Sequence, residues 1–201
     1  MKKLLLAVFS ITTTFSLYAQ REVPQERMEQ IYEEVKTPYK YGLAIAPADN
    51  HHKIDCPTVF RQGDKWLMTY VVYNGKSGTD GRGYETWIAE SDNLLEWRTL
   101  GRILSYRDGK WDCNQRGGFP ALPDMEWGGS YELQTYKGRH WMTYIGGEGA
   151  GYEAVKAPLY IGLASTKGDI STAHEWESLD KPILSIHDKD AQWWEKLTQY
   201  K

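Results

Sequence analysis

Carboxylates and large aromatic side chains are concentrated in the segments between the apolar runs of this sequence. Asp55 stands directly before one such run, and a Gly-Tyr-Glu motif occurs twice, at residues 83–85 and 151–153. The other members of this group are Trp111, Asp112, Asp124, Glu126, Trp127, Tyr131, Glu132, Trp193, Trp194 and Glu195. Flat Trp and Tyr rings stack on sugar rings, and carboxylates bind sugar hydroxyls or act on a glycosidic bond. Together these residue types indicate a site for carbohydrates.

The composition narrows the class of protein. The 201 residues include 24 Lys and Arg against 27 Asp and Glu, a formal net charge of −3. A non-specific nucleic-acid binder needs an excess of cations to neutralise phosphates, so this class is excluded. Apolar residues make up 41% and charged residues 25%, the balance of a folded chain. With 19 Gly, 9 Trp and 14 Tyr, the sequence predicts a turn-rich β-protein.

Residues 1–19 have the pattern of a secretory signal peptide. Lys2 and Lys3 form the charged start, residues 4–9 begin the apolar segment, and Ala19 supplies a small residue before the cut. A buried N-terminal helix is the alternative. We expect cleavage, export to the periplasm or the cell exterior, and no membrane association afterwards, because no other stretch is apolar enough to span a bilayer.

Residues 20–53 are expected to form a short helix and a lead-in to the main domain. Apolar residues at helical spacing lie between Pro24 and Pro38; they are Met28, Ile31, Tyr32 and Val35. Proline is tolerated in the first turn of a helix, and Pro38 would end it. We expect this helix to pack and to carry no chemistry.

An internal repeat sets the expected architecture. Residues 65–70 match residues 139–144, and residues 87–91 match residues 161–165 at the same offset. Each copy is expected to hold four antiparallel strands, which in the first copy lie at 58–61, 66–73, 86–91 and 102–104. Four-stranded repeats of this length are typical of β-propeller blades with long loops. Two tandem sandwich-like sheets are the alternative.

An all-β propeller is therefore the expected fold, with blades over residues 54–105 and 128–185 and the start of a third over residues 186–201. A closed propeller typically needs at least four blades. The sequence thus indicates a piece of a longer protein. A complete protein of unusual fold, or one that closes its sheet by oligomerising, stays open as an alternative.

Alternating strand direction divides the connections between two faces of the propeller. The short turns share one face, and the long connections share the other with residues 54–57; they span residues 74–85, 106–129 and 146–158. Function concentrates on long loops held by a rigid scaffold. Asp55 begins the first inner strand beside the central axis and is the candidate catalytic residue. The candidate substrate-binding residues are Glu85, Trp111, Trp127, Glu153 and Trp193.

Three segments of the first copy, residues 54–60, 63–70 and 89–97, resemble the opening blade of five-bladed propeller glycosidases. These are the arabinanases and xylosidases of glycoside hydrolase family 43, with invertase-like and mannoside-phosphorylase relatives. The resemblance implies a five-bladed propeller with a central, funnel-like site.

The resemblance also implies roles for individual carboxylates. The Asp of the first inner strand, here Asp55, is the catalytic base in inverting members. A second Asp and a Glu general acid belong to later blades, and Glu132 and Glu195 are the candidates for the acid. In the second copy, the position equivalent to Asp55 is expected at Gly129.

These residues favour a secreted glycoside hydrolase that acts on a plant or host oligosaccharide or polysaccharide. A truncated chain without the general acid would have little activity. A non-catalytic carbohydrate-binding propeller is one alternative. A glycoside phosphorylase is another, with Arg82, Lys76 and Arg116 as candidate phosphate-binding cations. No cofactor is expected.

The remaining reactive residue types carry weaker signals. Cys56 and Cys113 could pair in an oxidising compartment, but two half-buried thiols are the favoured interpretation. His51 and His52 are adjacent in an extended loop, so their side chains point apart, and His140 falls within a strand. We therefore expect no metal site, and the sequence contains no phosphate-binding glycine loop.

Overall fold

The computed structural model describes residues 23–36, 43–47, 49, 52–75, 81–151 and 158–192. Contacts divide the chain into two units, Met1–Tyr41 and Gly42–Lys201. Several sequence predictions fall outside the described residues; these are the signal peptide, Pro38, His51, Lys76, Glu153, Trp193 and Glu195.

The first unit contains the expected helix, α1 (Gln25–Val35), which directly follows Pro24. Side-chain hydrogen bonds one turn apart support it, from Gln25 to Glu29 and from Gln30 to Glu34. None of its residues is buried, so its apolar side chains lie exposed. Among the described residues, no helix has the length and apolarity needed to cross a membrane.

The second unit contains two four-stranded antiparallel sheets, each with its strands in sequence order. The first sheet comprises β1 (Lys53–Gln62), β2 (Lys65–Tyr73), β3 (Tyr84–Ser91) and β4 (Arg98–Leu104). The second comprises β5 (Gln115–Pro120), β6 (His140–Gly147), β7 (Tyr160–Thr166) and β8 (Glu177–Ser178). The two sheets confirm the duplicated four-stranded unit, and all four strands predicted for the first copy lie within observed strands.

The second sheet begins earlier than the sequence predicts, at Gln115 and not near residue 128. Asp55 of β1 pairs with Val71 of β2, and in the second sheet Gly117 pairs with Ile145. Val71 and Ile145 occupy matching positions of the repeat. Gly117, and not Gly129, is therefore the structural equivalent of Asp55. The strand was missed because two consecutive glycines weaken the strand pattern of β5.

The main core lies where the two sheets pack against each other. It comprises Phe60, Leu67, Ile88, Ile103, Leu104, Leu133, Met142, Tyr144, Ala164, Ile170 and Trp176. Thr86 of β3 bridges the sheets, since its hydroxyl donates to the Arg116 carbonyl and accepts from the Gly118 N–H, both at 2.7 Å. Gly118 has no room for a side chain, because a Cβ there would overlap the Met142 sulfur.

Strand direction places the connections at two ends of the sheets. We call one the loop end; it contains the start of β1 and residues 74–83, 105–114, 148–159 and 179–192. The other, the turn end, contains residues 63–64, 92–97, 121–139 and 167–176. The short turns share one end as predicted. Residues 121–129, which were expected among the long loops beside Asp55, lie at the turn end because they follow β5.

Candidate functional site

Asp55 lies where β1 departs from regular strand geometry. The register with β2 shifts between Asp55 and Thr58, and Cys56 has a φ of +52°. The Cys56 N–H donates to Asp55 Oδ1 at 2.7 Å. Pro57 lacks an N–H and is tolerated at such a bulge on an edge strand. A non-glycine residue at positive φ costs roughly 1–3 kcal/mol, and such strain clusters at functional sites.

The bulge turns Asp55 and Cys56 into one cavity. Neighbouring residues of a regular strand point to opposite faces, and a bulge re-aims a side chain. We call this space the Asp55 cavity; it measures about 240 Å³ and is lined by Asp55, Cys56, Val71, Tyr84, Gly117, Phe119, Ile145 and Leu159. Its walls come from both sheets, so Asp55 and its equivalent Gly117 face the same space.

Asp55 is the only carboxylate among the described residues that line this cavity. It is exposed, and it makes no ion pair within the part of the chain that the structure describes. Tyr84 adds a phenol to the polar side of the cavity, whereas Val71, Phe119 and Ile145 make the rest apolar. A few polar groups on an apolar wall are typical of a small-molecule binding site.

The two cysteines are free thiols. Cys113 is half-buried, as the sequence predicts, but Cys56 is exposed on the bulge. Partial burial, with a smaller effect from the neighbouring Asp55 carboxylate, raises the pKa of Cys56. Cys56 is therefore a neutral thiol at neutral pH and not a thiolate nucleophile.

Hydrogen bonds tie the loops of the loop end to one another. Arg82 Nε donates to Asn114 Oδ1 at 2.7 Å, and the Arg82 guanidinium also pairs with Asp108 and lies 4.5 Å from the ring centroid of Tyr106. Gln115 Nε2 donates to the carbonyls of Gly149 at 2.7 Å and Gly151 at 2.8 Å. The three long loops are thereby held as one structure beside the Asp55 cavity.

A buried ionic network supports these loops from below. Asp112 is fully buried and pairs with Arg107 at 2.8 Å and with Arg116 at 3.2 Å. The Tyr144 hydroxyl donates to Asp112 Oδ2 at 2.7 Å. Burial, together with Asp112, raises the pKa of Tyr144 to about 12. Arg116 is also fully buried and reaches Glu175 at 2.6 Å.

This network bears on the predicted phosphate site. Arg116 is enclosed by the carboxylates of Asp112 and Glu175, and Arg82 is engaged by Asp108 and Asn114. Neither guanidinium is therefore open to a phosphate ion. Two of the three cations proposed for a phosphorylase are structural.

Trp111 lies at the loop end, as predicted, but its ring is used in packing. It stacks on Tyr144 with ring centroids 5.8 Å apart and meets Tyr160 at 6.1 Å. Gly146 leaves room for this ring, since a Cβ there would lie 2.7 Å from a Trp111 ring carbon. The face of Trp111 that stacks on Tyr144 is closed to a sugar.

Glu85 lies on the face of the first sheet that points away from the Asp55 cavity. It pairs in register with Val72, whereas Asp55 pairs with the adjacent Val71. Its carboxylate is buried and accepts a hydrogen bond from Arg102 at 3.1 Å. Its neighbour Tyr84 lines the cavity instead. The Gly-Tyr-Glu motif thus contains a cavity residue, but only the register of β3 shows which one.

Trp127 and Glu132 lie at the turn end. Trp127 is 97% exposed, and Glu132 is exposed beside the far end of β1, where the Arg61 N–H donates to the Tyr131 carbonyl. Arg61 and Asp55 are six residues apart on β1, roughly 20 Å at about 3.3 Å per residue. The structure therefore does not bring Trp127 or Glu132 together with Asp55.

A second cavity adjoins the first. We call it the Asp188 cavity; it measures about 300 Å³ and is lined by Leu159, Tyr160, Ile161, Leu184, Ser185, Ile186, Asp188, Asp190 and Ala191. Leu159 lines both cavities. Partial burial raises the pKa of Tyr160, with the Glu148 carboxylate adding to the effect. The sequence analysis did not single out these residues, because no motif marks Leu159 or the two aspartates.

The described residues contain no group of three or more His, Cys, Asp and Glu side chains that could hold a metal ion. His52 contacts Asp49 Oδ1 through Nδ1 at 2.8 Å. His140 lies within β6, where partial burial lowers its pKa. Both are accounted for by local contacts.

Two antiparallel sheets with a carboxylate cavity between them define the class, an all-β protein with a polar site at one end of its sheets. A solved structure named "Glycoside hydrolase" matches it with 94% sequence identity and a TM-score of 0.81, over 90% of this chain and 51% of that chain. A structure named as a complex of BT0996 and RGII matches with the same values, 94% identity, a TM-score of 0.81, 90% and 51%. The present sequence thus spans about half the length of both.

More distant similarity is weak. A β-1,2-mannobiose phosphorylase from Listeria innocua, in a complex with β-1,2-mannobiose, aligns with a TM-score of 0.47 and 18% identity over 72% of this chain and 34% of that one. These values are too low to bear on fold or function. No protein-family model and no curated protein matches the sequence.

Proposed function

We propose that this chain forms part of a secreted glycoside hydrolase, with its active site at the loop end and Asp55 as the base. The observation that supports this most is the 94% identity to a structure named as a glycoside hydrolase, over 90% of the chain. In this proposal the two sheets are two blades of a five-bladed propeller of the family 43 type. Residues 1–19 direct the protein to the periplasm or the cell exterior.

Asp55 would activate water for the attack on the anomeric carbon. In an inverting glycosidase a carboxylate takes a proton from water, while a carboxylic acid on the other side of the sugar protonates the leaving oxygen. The two groups stand ~6.5–9.5 Å apart in inverting enzymes and ~5–5.5 Å apart in retaining ones. An exposed carboxylate without an ion-pair partner among the described residues suits the role of base.

The general acid would come from outside the described residues. Of the two candidates, Glu132 lies at the turn end, roughly 20 Å along β1 from Asp55. Glu195 therefore remains the candidate acid. The substrate class is an oligosaccharide or polysaccharide. An RGII oligosaccharide is the first substrate to test, because RGII is named with one of the two similar structures.

Non-catalytic carbohydrate binding is a second candidate function. It is favoured by one observation, that Asp55 is the only carboxylate among the described residues that line its cavity. A site with one carboxylate can bind sugar hydroxyls, but it lacks the pair that hydrolysis needs.

Substitution of Asp55 separates the two functions. Since this chain spans about half of its relatives, it is extended with the second half of the solved glycoside hydrolase. Hydrolysis of the RGII oligosaccharide is then followed by release of reducing ends, and binding by calorimetry. We expect Asp55→Asn to lower kcat by about 10²–10⁴-fold, the contribution typical of a positioned base, and to change the dissociation constant little.

Asp64→Asn is the matched control, because Asp64 is an exposed aspartate in the β1–β2 turn at the turn end. It is expected to hydrolyse like the parent. Equal activity of Asp55→Asn and the parent would show that Asp55 is not the base. Binding without any hydrolysis by the parent would favour the non-catalytic function.

A further inference from the structure

Leu159 separates two cavities that face the same end of the molecule. The Asp55 cavity lies on one side of it and the Asp188 cavity on the other. Leu159 is half-buried and directly precedes β7, so it belongs to the rim of the sheet and not to the core between the sheets. One side chain thus divides what is otherwise a continuous groove at the loop end.

Gly147 fixes the position of this side chain. A Cβ at Gly147, the last residue of β6, would lie 3.1 Å from Leu159 Cδ2 and 3.1 Å from the Pro158 carbonyl oxygen. Because glycine leaves this space empty, Leu159 can lie directly over the strand end. The divider is therefore held by the sheet, and the division between the cavities is a built feature of the fold.

The Asp188 cavity carries the groups that bind sugars. Asp188 and Asp190 are exposed carboxylates, and neither makes an ion pair within the described part of the chain. Asp188 Oδ2 accepts the Ser185 N–H at 2.8 Å, which orients that carboxylate. The Tyr160 ring is held against Trp111 and against His187, with centroids 6.1 Å and 6.0 Å apart. Carboxylates for hydroxyls beside a fixed aromatic ring match the chemistry of a sugar residue.

The volumes require both cavities for a ligand of more than one sugar. Sites for small molecules typically measure about 300–1,000 Å³. The Asp55 cavity, at about 240 Å³, falls below this range alone, and the Asp188 cavity, at about 300 Å³, only reaches its lower limit. Together they lie well within it.

We propose that a bound oligosaccharide spans both cavities across Leu159, and that Tyr160 and Asp190 hold the sugar residue next to the one held at Asp55. This rests on the proposed function only in taking the ligand to be an oligosaccharide; it does not require hydrolysis. The Asp188 cavity is then a second subsite, and Leu159 sets where along the ligand the two subsites divide.

The test is calorimetric titration of the extended protein with the RGII oligosaccharide and with the same oligosaccharide shortened one sugar at a time. Asp190→Asn is the central variant, since Asp190 is exposed and contacts Gln192 Nε2 through its backbone carbonyl, which the substitution keeps. We expect it to weaken binding of the intact ligand about tenfold. A ligand too short to cross Leu159 should bind unchanged.

Leu159→Ala gives a second measurement, because it joins the two cavities. It should reduce the difference in affinity between the intact and the shortened ligand at least threefold, while Asp64→Asn changes neither. The proposal is overturned if Asp190→Asn affects both ligands equally or leaves both unchanged. Such a result with hydrolysis intact would reject the second subsite alone, whereas normal subsite behaviour without hydrolysis would reject only the enzymatic function.

Discussion

The two ends of the sheets hold their connections in opposite ways. At the loop end, charged groups are buried and bonded between segments far apart in sequence, as in the contacts of Arg116 with Asp112 and Glu175. At the turn end, connections are held by their own residues: Asp124 binds the N–H groups of Glu126 and Ser130. The loop end therefore forms one connected structure, while the turn end consists of independent turns.

This difference follows from what each end must do. Long loops that enclose a cavity cannot satisfy their backbone groups locally, so side chains such as Arg82 and Gln115 bind the carbonyls and amides of neighbouring loops. Turns without a cavity close on themselves at low cost. The comparison predicts that equivalent substitutions at the two ends will have very different effects.

The largest difference is expected between two arginines. Arg116→Met leaves Asp112 buried without one of its cations, and breaking a buried ion pair typically costs about 3–5 kcal/mol. Arg139→Met removes a pair with the exposed Glu177 at the turn end, which is worth about 0–1 kcal/mol. Urea denaturation of both variants measures the two costs.

A double substitution sharpens this test. Replacing Arg116 and Asp112 together by Met and Leu removes the stranded charge, so much of the lost stability should return. Similar losses for Arg116→Met and Arg139→Met would contradict the idea that only the loop end depends on a buried network.

The second difference is expected between two tryptophans. Trp111→Ala removes a ring that stacks on Tyr144 and should cost about 2–3 kcal/mol, less than a fully buried Trp because Trp111 is half-buried. Trp127→Ala removes an exposed ring at the turn end and should change the free energy of unfolding by less than about 0.5 kcal/mol.

Trp111→Phe is the control for ring size against stacking, and it should retain most of the stability. Thermal denaturation and oligosaccharide titration of all three variants provide the readout. Loss of ligand binding in Trp127→Ala alone would contradict the placement of the carbohydrate site at the loop end.

Most of the fold could be predicted from the sequence because turn residues and alternating apolar residues mark the first sheet. The repeat then locates β6 and β7. β5 could not be found in this way, because Gly117 and Gly118 are chosen for close contact between the sheets and not for strand propensity. Missing one strand reverses the chain direction, and this moved residues 121–129 to the wrong end.

The candidate site was predictable only in part. Asp55 was identified because it stands directly before an apolar run, and the bulge that aims it has no clear sequence signal. Glu85 was preferred to Tyr84 on residue type, although strand register decides which of two neighbours faces a cavity. Composition likewise cannot distinguish Trp111, a ring used for packing, from a ring available to a sugar.

The smallest effect is expected at Asp124, whose carboxylate holds only its own loop. Hydrogen bonds from the Ser130 hydroxyl and from the Glu126 and Ser130 N–H groups keep its pKa below the usual 3.8. A carboxylate with a lowered pKa stabilises the fold above pH 3.8 and loses that contribution as the pH falls through its folded-state value. Asp124→Asn should therefore show a small, constant decrease in Tm between about pH 7 and 5, and the decrease should vanish towards about pH 3. Oligosaccharide affinity should be unchanged throughout, because this turn is not connected to the loops around Asp55; a weakened affinity would show that the two ends are coupled.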